Sequence, residues 1–305
     1  MKLYKNFSVS KKHRNSIILI GNFDGVHLGH QKLFKLAKKY KKKFQLNIGV
    51  VTFEPMPKMY FNKRIKNFRI SNADQKKEIL SNFGVDFVIS KKFNKNFSKI
   101  KSDFFIKEIL FKKLAAKYIF VSNNFRFGNK REGNVNQLIK NEKIYDYKIV
   151  KPRPLTLGNK VISSTYIRSL LEKGNLTKAN KALNRNWSIE GIVQKGRQQG
   201  KKIGFPTCNI DIQDYVIAMP GVYAVKVYQK KSNKPLKAIA NLGYRPTFNQ
   251  KKILLEVHIF NFSGNLYNKY LSVEFIKFIR KEKKFNNVNQ LRKQIQSDLN
   301  IAKKI

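Results

Sequence analysis

The amino-acid sequence predicts two domains in succession, an α/β domain built on a parallel sheet and a smaller antiparallel β barrel. Apolar runs alternate with amphipathic segments over the first 150 residues, whereas short, turn-separated strands follow residue 183. The chain of 305 residues is long enough to form two hydrophobic cores. We therefore expect a domain boundary between residues 183 and 184.

Individual elements follow from the spacing of apolar residues. Short apolar runs rich in β-branched residues predict strands, and apolar residues that recur every three or four positions predict helices. This alternation is typical of a parallel sheet with helices on both faces. The expected strands are 17–21, 47–53, 86–90, 117–122 and 147–151, the expected helices are 27–42, 73–83, 102–114 and 286–303, and the last helix has Val288, Leu291, Ile295 and Leu299 as its apolar stripe.

The composition restricts the class of protein. Lys and Arg number 64 against 18 Asp and Glu, a net charge of +46 that suggests an anionic partner. The lysines are spread along the whole chain without a recognition motif, so we expect nucleic-acid binding to be adventitious. A single cysteine excludes an intrachain disulfide, and no apolar run approaches the ~20 residues of a membrane span. These observations predict a cytoplasmic protein, monomeric or weakly self-associating, with no membrane partner.

The segment Gly21–His30, GNFDGVHLGH, contains two of the four histidines and follows the first buried strand. Its glycines allow a turn, and a helix is expected to begin near His27. His27 and His30 then share one face of the first helical turn, where free N–H groups and the helix dipole favour phosphate. The segment predicts a nucleotide-handling site. Because no G-x-G-x-x-G sequence occurs, a dinucleotide-binding Rossmann domain is disfavoured.

A second segment, ISSTYIR at residues 162–168, has hydroxyl groups and an arginine at the start of a predicted helix. Ser163 or Ser164 suits the N-cap, and a helix start without further function is one interpretation. In the second domain, Gly196, Gly200 and Gly204 suggest a mobile loop whose backbone approaches phosphates. Their spacing does not fit the G-x-x-x-x-G-K-[ST] sequence of a P-loop.

Two strand segments complete the set. In GFPTCN at residues 204–209, Thr207 and Asn209 fall on one face of an extended chain, where both oxygens can bind one metal ion; an ordinary strand pair without a ligand is the alternative interpretation. In LLEVHIF at residues 254–260, alternation places Glu256 and His258 opposite Leu255, Val257 and Ile259. An ordinary solvated strand face is the alternative interpretation of Glu256. His258 is expected to be structural.

Together these segments resemble the bacterial bifunctional riboflavin kinase/FAD synthetase family. GNFDGVHLGH and ISSTYIR are similar to motifs of its nucleotidyltransferase domain, and GFPTCN and LEVH to motifs of its kinase domain. The resemblance spans roughly residues 15–300, with the motifs in the family's order. It implies a Rossmann-like FMN adenylyltransferase domain at residues 1–183 and a riboflavin kinase barrel at residues 184–305.

The resemblance also implies activities, ligands and residue roles. ATP would phosphorylate riboflavin to FMN, and a second ATP would adenylylate FMN to FAD with release of pyrophosphate, with Mg²⁺ as the cofactor. The implied catalytic residues are Glu256, His27 and His30; the implied nucleotide- or flavin-binding residues are Gly21, Asn22, Phe23, Asp24, Asn124, Ser164, Thr165, Arg168, Gly200, Gly204, Thr207 and Asn209; Thr207 and Asn209 are also the implied Mg²⁺ ligands.

Three residues depart from the family pattern. Met56 replaces a histidine in F-E-P-H-P, Asn124 replaces an aspartate in D-F-R-F-G, and Ser122 replaces a glycine. These departures favour one alternative, a riboflavin kinase with weak or lost FAD synthetase activity. The high positive charge favours an alternative of another class, a basic nucleic-acid-binding protein.

Overall fold

The polypeptide forms two units, and the division between them does not follow the chain in a single step. The structure, a computed structural model, describes residues 1–196, 200, 203–229, 234–246 and 251–305. Unit 1 comprises Met1–Lys66 and Ala73–Ser163, and unit 2 comprises Asn67–Asn72 and Ser164–Ile305. Within the described ranges, no helix combines the length and apolar character needed to cross a membrane.

The strands of unit 1 are β1 Lys2–Tyr4, β2 Ile17–Ile20, β3 Ile48–Glu54, β4 Phe87–Lys92, β5 Tyr118–Phe120, β6 Arg126–Phe127, β7 Gly133–Asn134, β8 Lys148–Val150, β9 Thr156–Leu157 and β10 Lys160–Val161. Six of them form a sheet in the order β1-β4-β3-β2-β5-β8, with every neighbouring pair parallel. The chain runs from β2 outward through β3 and β4, then returns to β5 on the other side of β2. Open parallel sheets bind ligands beyond the carboxyl ends of the strands at such a reversal.

Helices cover both faces of this sheet. Ile17 and Leu19 of β2 pack in one core cluster with Phe34 of the first long helix, whereas Ile18 and Ile20 pack in the other with the helix around Ile109. Such burial on both faces explains why β2 is apolar at every position. The helices of unit 1 are α1 Leu28–Phe44, α2 Pro57–Phe61, α3 Ala73–Asn82, α4 Lys95–Ser98, α5 Ser102–Phe104, α6 Val135–Lys140 and α7 Glu142–Tyr145, with a π-helix at Phe105–Lys113 and 3₁₀ turns at Lys11–His13, Asp24–Val26 and Asn129–Arg131.

The predicted parallel sheet is confirmed, and the ends of its predicted strands and helices agree with the structure to within two residues. The features that were not predicted include the edge strand β1 and a change of helix type. The edge strand β1 has only three residues and a polar start, so its sequence lacks the apolar run of an interior strand. The predicted helix at 102–114 changes after Phe104 from α-helix to π-helix.

Unit 2 contains the predicted barrel, closed in the order β11-β12-β15-β14-β13-β16. All of its strand pairs are antiparallel. The strands are β11 Ser188–Gln194, β12 Cys208–Asp211, β13 Gly221–Gln229, β14 Leu236–Pro246, β15 Lys251–Ile259 and β16 Tyr270–Lys281, and the helices are α8 Ser164–Glu172, α9 Leu176–Leu183 and α10 Val288–Lys303.

The C-terminal helix α10 covers part of the outer face of the barrel. Its residues Leu299 and Ala302 pack with Val222, Ala224 and Ile239 of β13 and β14. The expected stripe is wrong at its first member, because Val288 is 55% exposed. The packing stripe continues instead through Ala302 to Ile305, so the first turn of the helix lies beyond the apolar patch it covers.

The segment Asn67–Asn72 is hydrogen-bonded into unit 2. The indole nitrogen of the buried Trp187 donates to the Ile70 carbonyl at 2.9 Å. The backbone nitrogens of Phe68 and Arg69 both donate to the Asp214 carbonyl, at 2.7 and 2.8 Å. This segment therefore completes the hydrogen bonding of residues that are distant in sequence.

Candidate functional sites

The segment after β2 turns sharply before α1 begins. Its Phe23, Gly25 and Val26 all have positive φ angles, of 48°, 74° and 38°. Such angles are unfavourable for non-glycine residues, above all for a β-branched one, and persist where the surroundings enforce them. His27 is the N-cap residue and α1 starts at Leu28, one residue later than expected. The turn thus brings both predicted histidines to the N-terminus of a 17-residue helix.

His27 and His30 form a stacked pair at this helix N-terminus. Their ring centroids are 3.6 Å apart with planes inclined by 21°, and Phe23 meets the His30 ring edge-on at 5.1 Å. The Nδ1 atom of His30 is buried and has no hydrogen-bond partner among the described residues. Burial first, and then the charges of His27 and Lys76, hold the pKa of His30 well below its ordinary value. The imidazole of His30 is therefore neutral at pH 7.

The other predicted residues of this segment lie around the histidines. Gly21 donates its backbone N–H to the Val51 carbonyl at 3.0 Å, and Phe23 and Asp24 are buried. The Asn22 side chain is exposed, whereas its carbonyl accepts hydrogen bonds from Thr52 Oγ1 at 3.3 Å and Lys76 Nζ at 3.4 Å. Lys76 was not predicted, because one lysine among many has no distinguishing sequence signal.

The three departures from the family pattern occupy two different environments. Met56 is 2% exposed and forms the N-cap of α2, so an apolar side chain fills the position of the family's histidine. Ser122 and Asn124 are exposed, and the Ser122 hydroxyl donates to Asn124 Oδ1 at 3.0 Å. These two replacements therefore interact with each other on the surface.

The second predicted nucleotide segment lies in unit 2. Helix α8 begins at Ser164, so Ser163 stands at the N-cap position, and Thr165 is exposed. The buried Arg168 donates from Nε to the Phe68 carbonyl at 2.6 Å, and its guanidinium carbon lies 3.5 Å from the centroid of the Phe68 ring. Binding of ATP phosphates by Ser164, Thr165 and Arg168 stays a prediction.

In the barrel, Glu256 stands between two asparagines. Strand register places Glu256 of β15 directly opposite Asn209 of β12 and opposite Asn241 of β14. Side chains of directly opposed residues share one face of the sheet, with Cβ atoms about 5 Å apart. The alternation predicted for β15 is present, since Leu255, Val257 and Ile259 are buried. A carboxylate and two amides therefore line the outer face of the barrel, and no sequence motif had indicated Asn241.

A glycine-rich turn brings the backbone against this face. Gly200 accepts the backbone N–H of Phe205 at 2.8 Å, and Gly204 has a φ of 87°, which favours glycine. A Cβ atom on Gly196 would lie 1.8 Å from Asn209 Nδ2, so only glycine admits the Asn209 side chain there. The mobile loop predicted between these glycines falls largely on residues 197–199 and 201–202, outside the described ranges.

His258, which is expected to be structural, contacts two neighbouring residues of the chain. Its Nδ1 atom donates to the Pro206 carbonyl at 2.8 Å, and Phe205 meets its ring edge-on at 5.9 Å. Both contacts hold the residues directly before Thr207. Cys208, in the next position, is opposite the buried Val257, and burial raises the pKa of its thiol to about 11. The Cys208 side chain therefore points away from the face that carries Asn209 and Glu256.

A further carboxylate, Glu282, approaches the same face. A Cβ atom placed on Gly243 would lie 2.0 Å from Glu282 Oε1 and 3.3 Å from Asn241 Nδ2. Glu282 therefore lies over β14 near Asn241, a position that its sequence in a lysine-rich run did not indicate. The arrangement offers oxygen ligands and a proton acceptor on one surface of the barrel.

Comparison with known proteins gives matches along the whole chain. The FAD synthetase family model matches residues 9–166, and the riboflavin kinase family model matches residues 183–305. A protein of Buchnera aphidicola subsp. Schizaphis graminum is 39% identical, covering 100% of this chain and 98% of that protein. A protein of Escherichia coli K12 is 36% identical, covering 92% and 90%. Both relatives are named bifunctional riboflavin kinase/FMN adenylyltransferase.

A solved structure shares the fold. A crystal structure from Streptococcus pneumoniae, described as a macrolide-efflux protein, has a TM-score of 0.86 and 28% sequence identity. The match covers 99% of this chain and 98% of that one. The two family models match in the predicted order, one for each unit that contains a candidate site. The relatives are more than 30% identical and cover at least 92% of this chain. The chain belongs to the bifunctional riboflavin kinase/FMN adenylyltransferase family.

Proposed function

We propose that this protein is a bifunctional enzyme that converts riboflavin to FMN and FMN to FAD, each step using one ATP. One observation carries the proposal. Each unit has its own group of polar side chains suited to phosphate transfer, around His27 and His30 in unit 1 and around Asn209 and Glu256 in unit 2. The family models and the names of the relatives support both activities. They give no support to a kinase without FAD synthesis or to a nucleic-acid-binding protein.

For the kinase step, we propose Glu256 as the general base. The carboxylate accepts the proton of the riboflavin 5′-hydroxyl as that oxygen attacks the γ-phosphorus, and the bond to the β-phosphate oxygen breaks to release ADP. The register of Glu256 with Asn209 supports this assignment, because it places the base beside a predicted phosphate and metal ligand.

Magnesium suits the donors of unit 2. Thr207 and Asn209 offer neutral hydroxyl and amide oxygens, and Mg²⁺ prefers a few such oxygens together with phosphate and water. We propose that these two residues hold the ion. When bound, it neutralises charge on the ATP phosphates. The contact of His258 with Pro206 supports the role of Thr207, because it fixes the preceding backbone.

For the adenylyl transfer, an oxygen of the FMN phosphate attacks the α-phosphorus, and the bond to the bridging oxygen breaks to release pyrophosphate. The FMN phosphate is already anionic, so this step needs no general base. We propose that His27 and His30 bind ATP phosphates and stabilise charge at the attacked phosphorus, with Gly21, Asn22, Phe23 and Asp24 shaping their turn. The neutral His30 suits this role, because a neutral imidazole still donates one N–H.

We also propose the functional division at residues 183 and 184, with residues 1–183 serving adenylyl transfer and residues 184–305 serving the kinase. The ends of the two family matches, at residues 166 and 183, support this division. By contacts alone, α8 and α9 belong with the barrel. A cytoplasmic location and a monomeric or weakly associated state stay predictions.

The first test is product analysis by chromatography. The protein is incubated with Mg²⁺-ATP and riboflavin, and separately with Mg²⁺-ATP and FMN. FAD from both mixtures is the expected result. FMN alone from riboflavin, with supplied FMN unchanged, would favour loss of the first activity through Met56 and Asn124, and restoring aspartate at position 124 should then raise FAD output.

A Glu256→Gln variant tests the kinase assignment more sharply. The substitution removes the proton acceptor but keeps the shape, so riboflavin phosphorylation should fall by ~10²–10⁴-fold. FAD synthesis from supplied FMN should stay at the wild-type rate, because its proposed site lies in unit 1. Undiminished phosphorylation of riboflavin would exclude Glu256 as the general base.

A further inference from the structure

Lys76 is a buried lysine in a helix whose neighbouring lysine is in solvent. It lies on α3 and is 8% exposed, whereas Lys77 on the same helix is exposed. Lysine is seldom buried to this extent, since its ammonium group is strongly hydrated. The burial of this ammonium group suggests that its positive charge has a function, such as binding an anion.

The ammonium group of Lys76 lies at the carboxyl edge of the parallel sheet. Its Nζ atom is 3.4 Å from the carbonyl oxygen of Asn22 and 3.3 Å from Oγ1 of Thr52. Asn22 belongs to the turn after β2 and Thr52 to the end of β3. The charge thus lies against a carbonyl oxygen of the turn after β2 and a hydroxyl oxygen of the adjacent strand β3, at the edge where open sheets bind ligands.

The same charge acts on the histidine pair. Lys76 is one of the groups that lower the pKa of His30, after burial and His27. A fixed positive charge beside the His30 imidazole makes its protonation unfavourable, and it attracts any anion that enters. In a site shielded from water this attraction is stronger than at the surface.

We propose that Lys76 is a third catalytic residue of the adenylyl-transfer site and binds phosphate oxygens of ATP beside His27 and His30. This inference rests on the proposed FMN adenylyltransferase activity of unit 1. The reaction brings two anions, the FMN phosphate and the ATP α-phosphate, into contact, and His30, which is neutral before ATP binds, offsets their repulsion only by taking up a proton. A fixed ammonium group supplies the missing positive charge without reorganisation during the reaction.

The experiment compares Lys76→Met, Lys76→Arg and Lys77→Met in the full-length protein. Methionine keeps the length and apolar stem of lysine but removes the charge, so kcat/KM for ATP in FAD synthesis should fall by ~10²-fold or more. Lys76→Arg should retain more activity than Lys76→Met. Lys77→Met should match the wild type. Riboflavin phosphorylation should be unchanged in all three variants, because its proposed site lies in unit 2.

A second readout is independent of turnover. The chain has only four histidines, so NMR can follow the ring signals of His27 and His30 individually. Lys76→Met should raise the pKa of His30 and should raise the ATP concentration needed to shift both signals by at least tenfold. FAD synthesis and ATP titrations within twofold of the wild type in Lys76→Met would overturn the proposal.

Different results would refute the adenylyltransferase activity of unit 1 and the role of Lys76 in it. A wild-type protein that phosphorylates riboflavin but makes no FAD from FMN would refute the adenylyltransferase activity itself. In that case the histidine signals still decide on Lys76, because weaker ATP binding in Lys76→Met supports it as a phosphate ligand and unchanged binding refutes it.

Discussion

At the scale of a single residue, the His30 imidazole should make the stability of unit 1 depend on pH. Its pKa is lowered by burial, by His27 and by Lys76, whereas in the unfolded chain it returns to about 6.5. Below that pH the unfolded chain binds a proton that the folded protein does not. The contribution of His30 to stability is therefore present above pH ~6.5 and is lost as the pH falls.

Binding of ATP should raise the pKa of His30 again. Phosphate charge near the ring favours the protonated imidazole, so binding at pH 7 should be accompanied by proton uptake. Calorimetric titration of ATP in two buffers of different ionisation enthalpy measures that uptake. A His30→Gln variant should lose it and should also show a weaker fall of unfolding free energy between pH 7.5 and 5.5. Equal uptake by the variant and the wild type would place the responsible group elsewhere.

At the scale of elements, a buried ion pair fastens the C-terminal helix to the barrel. Arg280 of β16 donates from Nε and from its terminal nitrogen to Asp298 of α10, the shortest bond being 2.7 Å. Gln294 donates to the other carboxylate oxygen at 2.9 Å. The Asp298 side chain is only 3% exposed. This geometry satisfies both oxygens, which a buried carboxylate requires.

An Asp298→Asn variant should destabilise unit 2 by ~3–5 kcal/mol, because it leaves the Arg280 charge without its counterion. Urea unfolding followed by the fluorescence of Trp187, the one tryptophan of the chain, measures the change. The matched control is Asp146→Asn, which removes the exposed pair with Lys117 and should not move the transition. A midpoint for Asp298→Asn equal to that of the control would show that hydrophobic packing alone holds α10.

At the scale of the whole molecule, the excess of positive charge should attract polyanions, and the strength of this attraction should depend on ionic strength. Five lysines, Lys35, Lys38, Lys39, Lys42 and Lys43, line one surface of α1. Such a surface attracts polyanions without sequence preference, and salt weakens that attraction steeply. RNA binding is therefore expected at low salt and should be unrelated to flavin turnover.

Fluorescence anisotropy of a labelled RNA oligonucleotide tests this expectation. Affinity should fall by at least ~10³-fold between 50 and 200 mM salt if six or more phosphates are neutralised. A Lys38→Glu, Lys42→Glu double variant should bind RNA more weakly at low salt while both enzymatic rates stay unchanged. Binding that persists at 200 mM salt would revive the nucleic-acid-binding alternative.

The sequence was sufficient for the architecture because its signals are local. The apolar run of β2 and the alternation in β15 each follow from burial of one or two faces, so both domains and their order were predictable. Lys76 and Asn241 were not, because their importance depends on which strands meet. Strand register brings Asn241 opposite Glu256, and the meeting of β2 and β3 gives Lys76 its partners.

The six residues Asn67–Asn72 bear on how this protein can be dissected. A fragment that starts at residue 184 would omit the Ile70 carbonyl, and loss of this partner for the indole N–H of Trp187 would cost ~1–3 kcal/mol. It would also omit the residues that hydrogen-bond to the Asp214 carbonyl. A kinase fragment made with a single cut at residue 184 should therefore be less stable than the same residues in the whole chain. Recombination that moves this module between genes would keep those hydrogen bonds only if it also moved a short peptide encoded far upstream.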